Sequence, residues 1–139
     1  MQIKDILNEN VLFVDPDKSL VEVAKLMKQY ECGSILVGRE DKLIGVITDR
    51  DIAMRCVADS VDPVSMTAEQ CMSPQVLYCR KNDDVEDVLR NMGENAVKRL
   101  PVVDEDKQLV GIVSFGDLSA ACQDKACAGE TMEQIRKAA

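Results

Sequence analysis

The stretch VKRLPVVDEDKQLVGIVSFGDL, Val97 to Leu118, decides how this chain folds. Two short apolar runs, Leu100–Val103 and Leu109–Val113, flank the polar turn Asp104–Lys107. Runs of four or five leucine and β-branched residues around such a turn predict a hairpin of buried strands. Ser114 closes the second run, and Asp117 follows three residues later, opening a helix predicted over Asp117–Lys125. Lys98 and Arg99 stand just before the first run. An acid, a hydroxyl and two cations thus gather at the ends of adjacent strands, where side chains and unpaired backbone N–H groups can hold a ligand.

The same text occurs earlier in the chain. LIGVITDRD (Leu43–Asp51) and LVGIVSFGD (Leu109–Asp117) share the leucine, the glycine and the final aspartate, with conservative exchanges between them. Upstream, SLVEVAKLMKQ (Ser19–Gln29) answers DVEDVLRNMGE (Asp84–Glu94), and NVLFVDP (Asn10–Pro16) answers QVLYCRK (Gln75–Lys81). The offset is 65 up to the hairpin turn and 66 after it, which makes Gln108 a single insertion. A unit written twice is a repeat architecture. Each copy reads strand, helix, strand, strand, helix.

In the first copy the strands are predicted at about Leu12–Val14, Ser34–Val37 and Leu43–Thr48. The first helix carries an apolar stripe of Leu20, Val23, Ala24 and Met27, and Ser19 or Asp17 can cap its start. A second helix is expected over Asp51–Ala58. The second copy repeats the stripe as Val85, Val88, Leu89 and Met92. Ala68–Met72 forms a lead-in equivalent to Ile3–Leu7. A linker falls at DSVDPVSMT (Asp59–Thr67), dividing the chain into repeat one, 1–62, and repeat two with a tail, 63–139. The tail after Gly129 is expected to form a short helix with Met132 and Ile135 on one face. A unit of some sixty residues is marginal alone. The expected fold is therefore α+β, two βαββα repeats sharing a core about a pseudo-twofold axis, with two related clefts between them.

Composition excludes several functions. The formal charge is 17 − 25 = −8, which argues against the polyanionic surfaces of nucleic acid and membrane as partners. No apolar run approaches the roughly 20 residues of a membrane span. The N-terminus lacks the layout of a secretory signal, so a cytoplasmic location is expected. The six cysteines include no CxxC pair and are expected as core-filling thiols, with Cys122 and Cys127 the more exposed. With no histidine in the chain, Ser-His-Asp and Cys-His catalysis and any histidine general base are excluded. No metal-ligating set is recognisable. The acidic turns Arg39–Lys42 and Asp104–Lys107 lack the spacing and glycine of a calcium loop, and read as hairpin tips.

The motifs KRLPVVDEDKQLVGIVSFGDL (Lys98–Leu118) and GSILVGREDKLIGVITDRDI (Gly33–Ile52), duplicated in one chain, resemble the cystathionine β-synthase (CBS) domain arranged as a tandem pair. The likeness runs from about Ile3 to Ala126. It implies a regulatory module, commonly a homodimer, that binds an adenosine-containing ligand, AMP, ADP or ATP foremost. No catalysis and no required cofactor are implied.

Carried over by this resemblance, Asp117 would bond the ribose diol, Ser114 ribose or phosphate, and Arg99 with Lys98 the phosphate. In the first copy, Asp51 and Thr48 take the first two roles, and Arg50 supplies a cation. Leu12, Leu77, Ile35 and Leu100 would line a slot for the base. The chemistry suits these roles. An ionised carboxylate has two acceptor oxygens for two adjacent hydroxyls, and guanidinium pairs with phosphate through parallel hydrogen bonds. A helix starting at Asp51 or Asp117 would add N–H donors. The first copy has Gly33 and Ser34 in place of Lys98 and Arg99, so the second copy is expected to bind more strongly.

Thr48-x-x-Asp51 and Ser114-x-x-Asp117 are also capping-box sequences, which need no ligand. Gly45 and Gly111, inside strands, fit close packing better than ligand approach. Two further readings stand beside the nucleotide sensor. One is a ligand-independent dimerisation or protein-interaction module. The other is a sensor of S-adenosylmethionine, NADH or Mg²⁺. The regulated effector protein is expected on another chain.

Overall fold

The computed structural model describes residues 1–74, 77–122 and 125–138; of Lys125, Cys127 and Ala138 it describes the backbone alone. The chain forms two compact units, Leu12–Val76 and Met1–Val11 with Leu77–Ala139. Each holds one three-stranded sheet.

In the Leu12–Val76 unit, β1 (Phe13–Val14) runs parallel to β2 (Ser34–Arg39), and β2 pairs antiparallel with β3 (Lys42–Thr48). The interior of β2 is buried on both faces, which is why its run reads as continuously apolar. The tip of this hairpin is Glu40–Asp41, both at positive φ, the two-residue turn that matches strand twist. Helix α1 (Leu20–Tyr30) crosses between β1 and β2. Its cap is Ser19, whose side chain accepts the Glu22 N–H at 3.3 Å. Leu20, Val23 and Met27 of its stripe are buried, whereas Ala24 is exposed. After β3 comes α2 (Asp49–Ile52), continued by a π-helical turn, Ala53–Val57. Helix α3 (Ala68–Cys71) completes the unit.

The second unit repeats the plan. Strand β4 (Cys79–Arg80) lies parallel to β5 (Arg99–Val103), and β5 antiparallel to β6 (Leu109–Ser114). Gln75 and Val76, expected at the approach to β4, lie outside the described residues. All four apolar stripe residues of α4 (Val85–Asn95) are buried. The β5–β6 tip is organised by Asp104, whose carboxylate accepts the N–H groups of Asp106 and Gln108. Both acidic turns are thus hairpin tips.

The sequence repeats exchange their leading segments. The Ile3–Asp5 turn joins the second unit, where Ile3 and Lys4 donate to the Asp83 and Lys81 carbonyls at 3.0 and 2.8 Å. Ala68 and Glu69 of α3 donate to Lys18 and Pro16 in the first unit at 2.7 and 3.0 Å. These bonds correspond one for one at the offset of 65. Accordingly Ile3 is buried in the second core, and Ala68 and Cys71 in the first.

Two expectations are corrected in the second unit. Helix α5 (Phe115–Ala121) is followed by α6 (Lys125–Ala138), a 14-residue helix rather than a short tail. Its buried residues are Ala128, Thr131 and Ile135, spaced three and four apart, and Met132 is exposed. It packs on α4, where the Thr131 hydroxyl donates to the Leu89 carbonyl at 3.0 Å. Cys122 is buried in the core rather than exposed, because it follows directly on the buried Leu118 turn of α5; the Cys127 side chain lies outside the described residues.

Candidate ligand-binding site

Strand pairing assembles the second-repeat motif. Antiparallel register sets Arg99 opposite Ser114, and Ser114 both ends β6 and caps α5. Its hydroxyl accepts the Asp117 N–H at 3.1 Å, while its own N–H donates to Asp117 Oδ2 at 3.3 Å. This is a complete capping box. The preceding residue, Lys98, accepts the Phe115 N–H on its carbonyl at 2.7 Å, fixing the junction. Lys98, Arg99 and Asp117 are all exposed. Two cations, a hydroxyl and a carboxylate with one oxygen outside the box therefore stand together at one strand–helix junction.

The first-repeat motif is built alike. Ser34 lies opposite Thr48. Thr48 Oγ1 accepts the Asp51 N–H at 3.0 Å, and the Thr48 N–H donates to Asp51 Oδ2 at 3.0 Å. Arg50 is exposed. The helices start at Asp49 and Phe115, two residues earlier than expected, because Thr48 and Ser114 are the caps and the aspartates sit in the first turn. The N–H groups of Asp51 and Asp117 are therefore taken by the cap hydroxyls.

The slot residues divide. Leu77 is 45% exposed and Leu12 half-buried, so both offer apolar surface. Ile35 and Leu100 are only 1% and 2% exposed and belong to the two cores. Their side chains line no open surface.

One residue the sequence reading passed over joins the first motif. Arg55, in the π-helical turn, donates to the carbonyls of Cys71 and Met72 at 2.8 and 3.0 Å. Its second terminal nitrogen lies 4.0 Å from Asp51 Oδ1. The Asp51-x-x-x-Arg55 spacing was the available signal. Burial pushes the Cys71 thiol pKa up, the Asp51 charge adds to the rise, and Arg55 opposes it. Two small depressions, about 170 and 150 Å³, touch neither motif. Among the described residues, no three cysteine, aspartate or glutamate side chains gather as a metal ion would need. None of the helices is long and apolar enough to cross a membrane, again among the described residues.

Two βαββα units, each closing its hairpin with a Thr/Ser-x-x-Asp capping box, define a tandem repeat protein. The CBS domain model matches residues 3–57 and 68–124, and the chain belongs to the CBS-domain family. It is similar to the CBS domain-containing protein YhcV of Bacillus subtilis, 36% identical over 133 residues, which span 96% of this chain and 94% of that protein. Among solved structures, Hypoxic Response Protein I with two coordinated zinc ions superposes with TM-score 0.79 at 32% identity, covering 88% of this chain and 99% of that one. The CBS domain pair of protein MJ0100, in complex with 5′-methylthioadenosine and S-adenosyl-L-methionine, gives TM-score 0.72 at 29% identity over 87% and 94% of the two chains. CBSX2 in complex with AMP gives 0.73 at 25% identity over 86% and 94%.

Proposed function

We propose that this CBS pair is a sensor that takes an adenosine-containing ligand, an adenine nucleotide foremost, at the strand–helix junction of its second repeat. The observation that carries the reading is the register placing Arg99 opposite Ser114, with Asp117 one turn on. The Asp117 carboxylate accepts the ribose hydroxyls, Arg99 and Lys98 meet phosphate, and Leu77 offers its exposed side chain to the base. The adenosine compounds bound by MJ0100 and CBSX2 support the ligand class. The module works in the cytoplasm as a homodimer and carries no catalysis of its own. Ligand binding biases its conformation by differential affinity, and an effector protein reads the change.

The experiment is thermal unfolding against AMP, ADP, ATP, S-adenosylmethionine, NADH and Mg²⁺. A ligand at one hundred times its Kd adds about 2.7 kcal/mol, a rise of several degrees in Tm. The combined Asp117→Ala and Arg99→Ala variant should abolish that rise while keeping the fold. A flat response across the set would sink the sensor reading and point to a ligand-independent interaction module.

A further inference from the structure

The two repeats use the same carboxylate differently. Asp51 and Asp117 each give Oδ2 to the N–H of the capping residue. The other oxygen of Asp51 faces Arg55 at 4.0 Å, and the Asp51 side chain keeps 18% exposure. Arg55 is itself held, because its other nitrogen bonds the two closing carbonyls of α3, one of them from the fully buried Cys71. It cannot turn to a ligand without stripping those carbonyls of a donor. At the equivalent position of the second repeat stands Ala121. Asp117 has no ion pair among the described residues; it is exposed and stands three residues after Ser114, the partner of Arg99 across the hairpin.

The surrounding charge reinforces the difference. Where the second repeat has Lys98, Arg99 and Phe115, the first has Gly33, Ser34 and Asp49. The Asp49 carboxylate folds back over this junction, with one oxygen 3.2 Å from where a Cβ on Gly33 would stand and the other accepting the Arg50 N–H at 2.8 Å. An incoming phosphate thus meets two acids and two bases at the first junction, with Arg55 already engaged. At the second it meets two bases and one acid.

We infer that Arg55 is a specificity-determining residue: by holding the outward oxygen of Asp51 against the end of α3, it withdraws the first repeat from ligand binding and leaves Asp117 as the ribose acceptor, one nucleotide per chain. This rests on the sensor reading above and goes beyond it by fixing stoichiometry and the residue that sets it.

Calorimetric titration of the full chain with AMP and with adenosine tests it. The wild type should bind one AMP per chain. Asp117→Asn should weaken binding at least tenfold, and Asp51→Asn should leave both ratio and affinity within twofold. Arg55→Gln keeps a donor for the α3 carbonyls but removes the charge from Asp51. It should raise the adenosine ratio from one towards two, which a purely structural residue would not do. Two AMP per chain in the wild type, with one lost in Asp51→Asn, overturns the inference and leaves the sensor reading standing. An unchanged ratio in Arg55→Gln also overturns it. Absence of any AMP binding by folded wild type overturns both.

Discussion

Gly111 lies against the main-chain carbonyl of Asn8 so closely that a Cβ built on it would stand 2.8 Å from the oxygen, with the Leu7 side chain beside it. The approach lets Asn8 and Ile112 exchange two backbone hydrogen bonds, both 2.9 Å, and so covers the outer edge of β6. The first unit does the same with Gly45, Val46 and Ser73, where the bonds are 3.1 and 2.9 Å. There the nearest atom to an added Cβ is the Met72 sulfur, with Ser73 O at 3.0 Å. Gly111→Ala should therefore cost about 1–3 kcal/mol, the range for overpacking against atoms that cannot yield. Gly45→Ala should cost less, since a thioether adapts more readily than a backbone. Urea midpoints at unchanged slope report both. Equal losses would mean that the backbone at Asn8 is not the obstacle.

The seam between α4 and α6 supplies a second test. Thr131 is 2% exposed, and its hydroxyl is bonded to a mid-helix carbonyl, that of Leu89. Valine fills nearly the same volume without the donor, so Thr131→Val isolates the hydrogen bond, worth about 1 kcal/mol. Amide exchange in α6 should quicken relative to β5 and β6. Thr131→Ser, which keeps the donor, should recover much of the loss. A valine variant as stable as the wild type would assign the seam to apolar packing alone.

What could be read from the chain beforehand follows from which interactions are local. The β5–β6 hairpin, both capping boxes and the α4 stripe were legible, because turn chemistry and side-chain period are written within a few residues. The exchange of lead-in segments was not. Ile3–Leu7 and Ala68–Met72 fit either unit by pattern, and only long-range backbone bonding decides between two similar docking places. Helix α6 runs on through the exposed Gly129, where an added Cβ would meet nothing within 4 Å, so the short helix expected after it is the second part of a longer one. Ile35 and Leu100 lie in the two cores, within apolar runs whose continuous burial leaves no period to separate a core position from a slot position. Of the Arg55 contacts only the spacing from Asp51 is legible, because its hydrogen-bond partners are carbonyls, which carry no residue signature, 16 and 17 positions along the chain.

Cys79 carries the pH prediction. It is 3% exposed on β4, with its thiol 3.8 Å from the Pro101 carbonyl. Burial, reinforced by the charge of Asp83, pushes the thiol pKa up from 9.0 to about 12, a backbone hydrogen bond opposing the rise. In the unfolded chain the thiol ionises near its ordinary value, so between roughly pH 9 and 12 the unfolded state binds fewer protons than the folded one. The linkage slope is then negative: the contribution is fully present below pH 9 and is lost as pH climbs towards 12, by at most about 1.4 kcal/mol per pH unit. Other groups titrate in the same window, so the informative quantity is the wild type minus Cys79→Ala. That difference should be flat from pH 6 to 8 and should shrink above pH 9. In parallel, the native Cys79 thiol should resist a thiolate-directed reagent at pH 8 and react once urea unfolds the chain. Rapid modification of Cys79 in the native protein would show that the β4 edge opens far more readily than its burial allows.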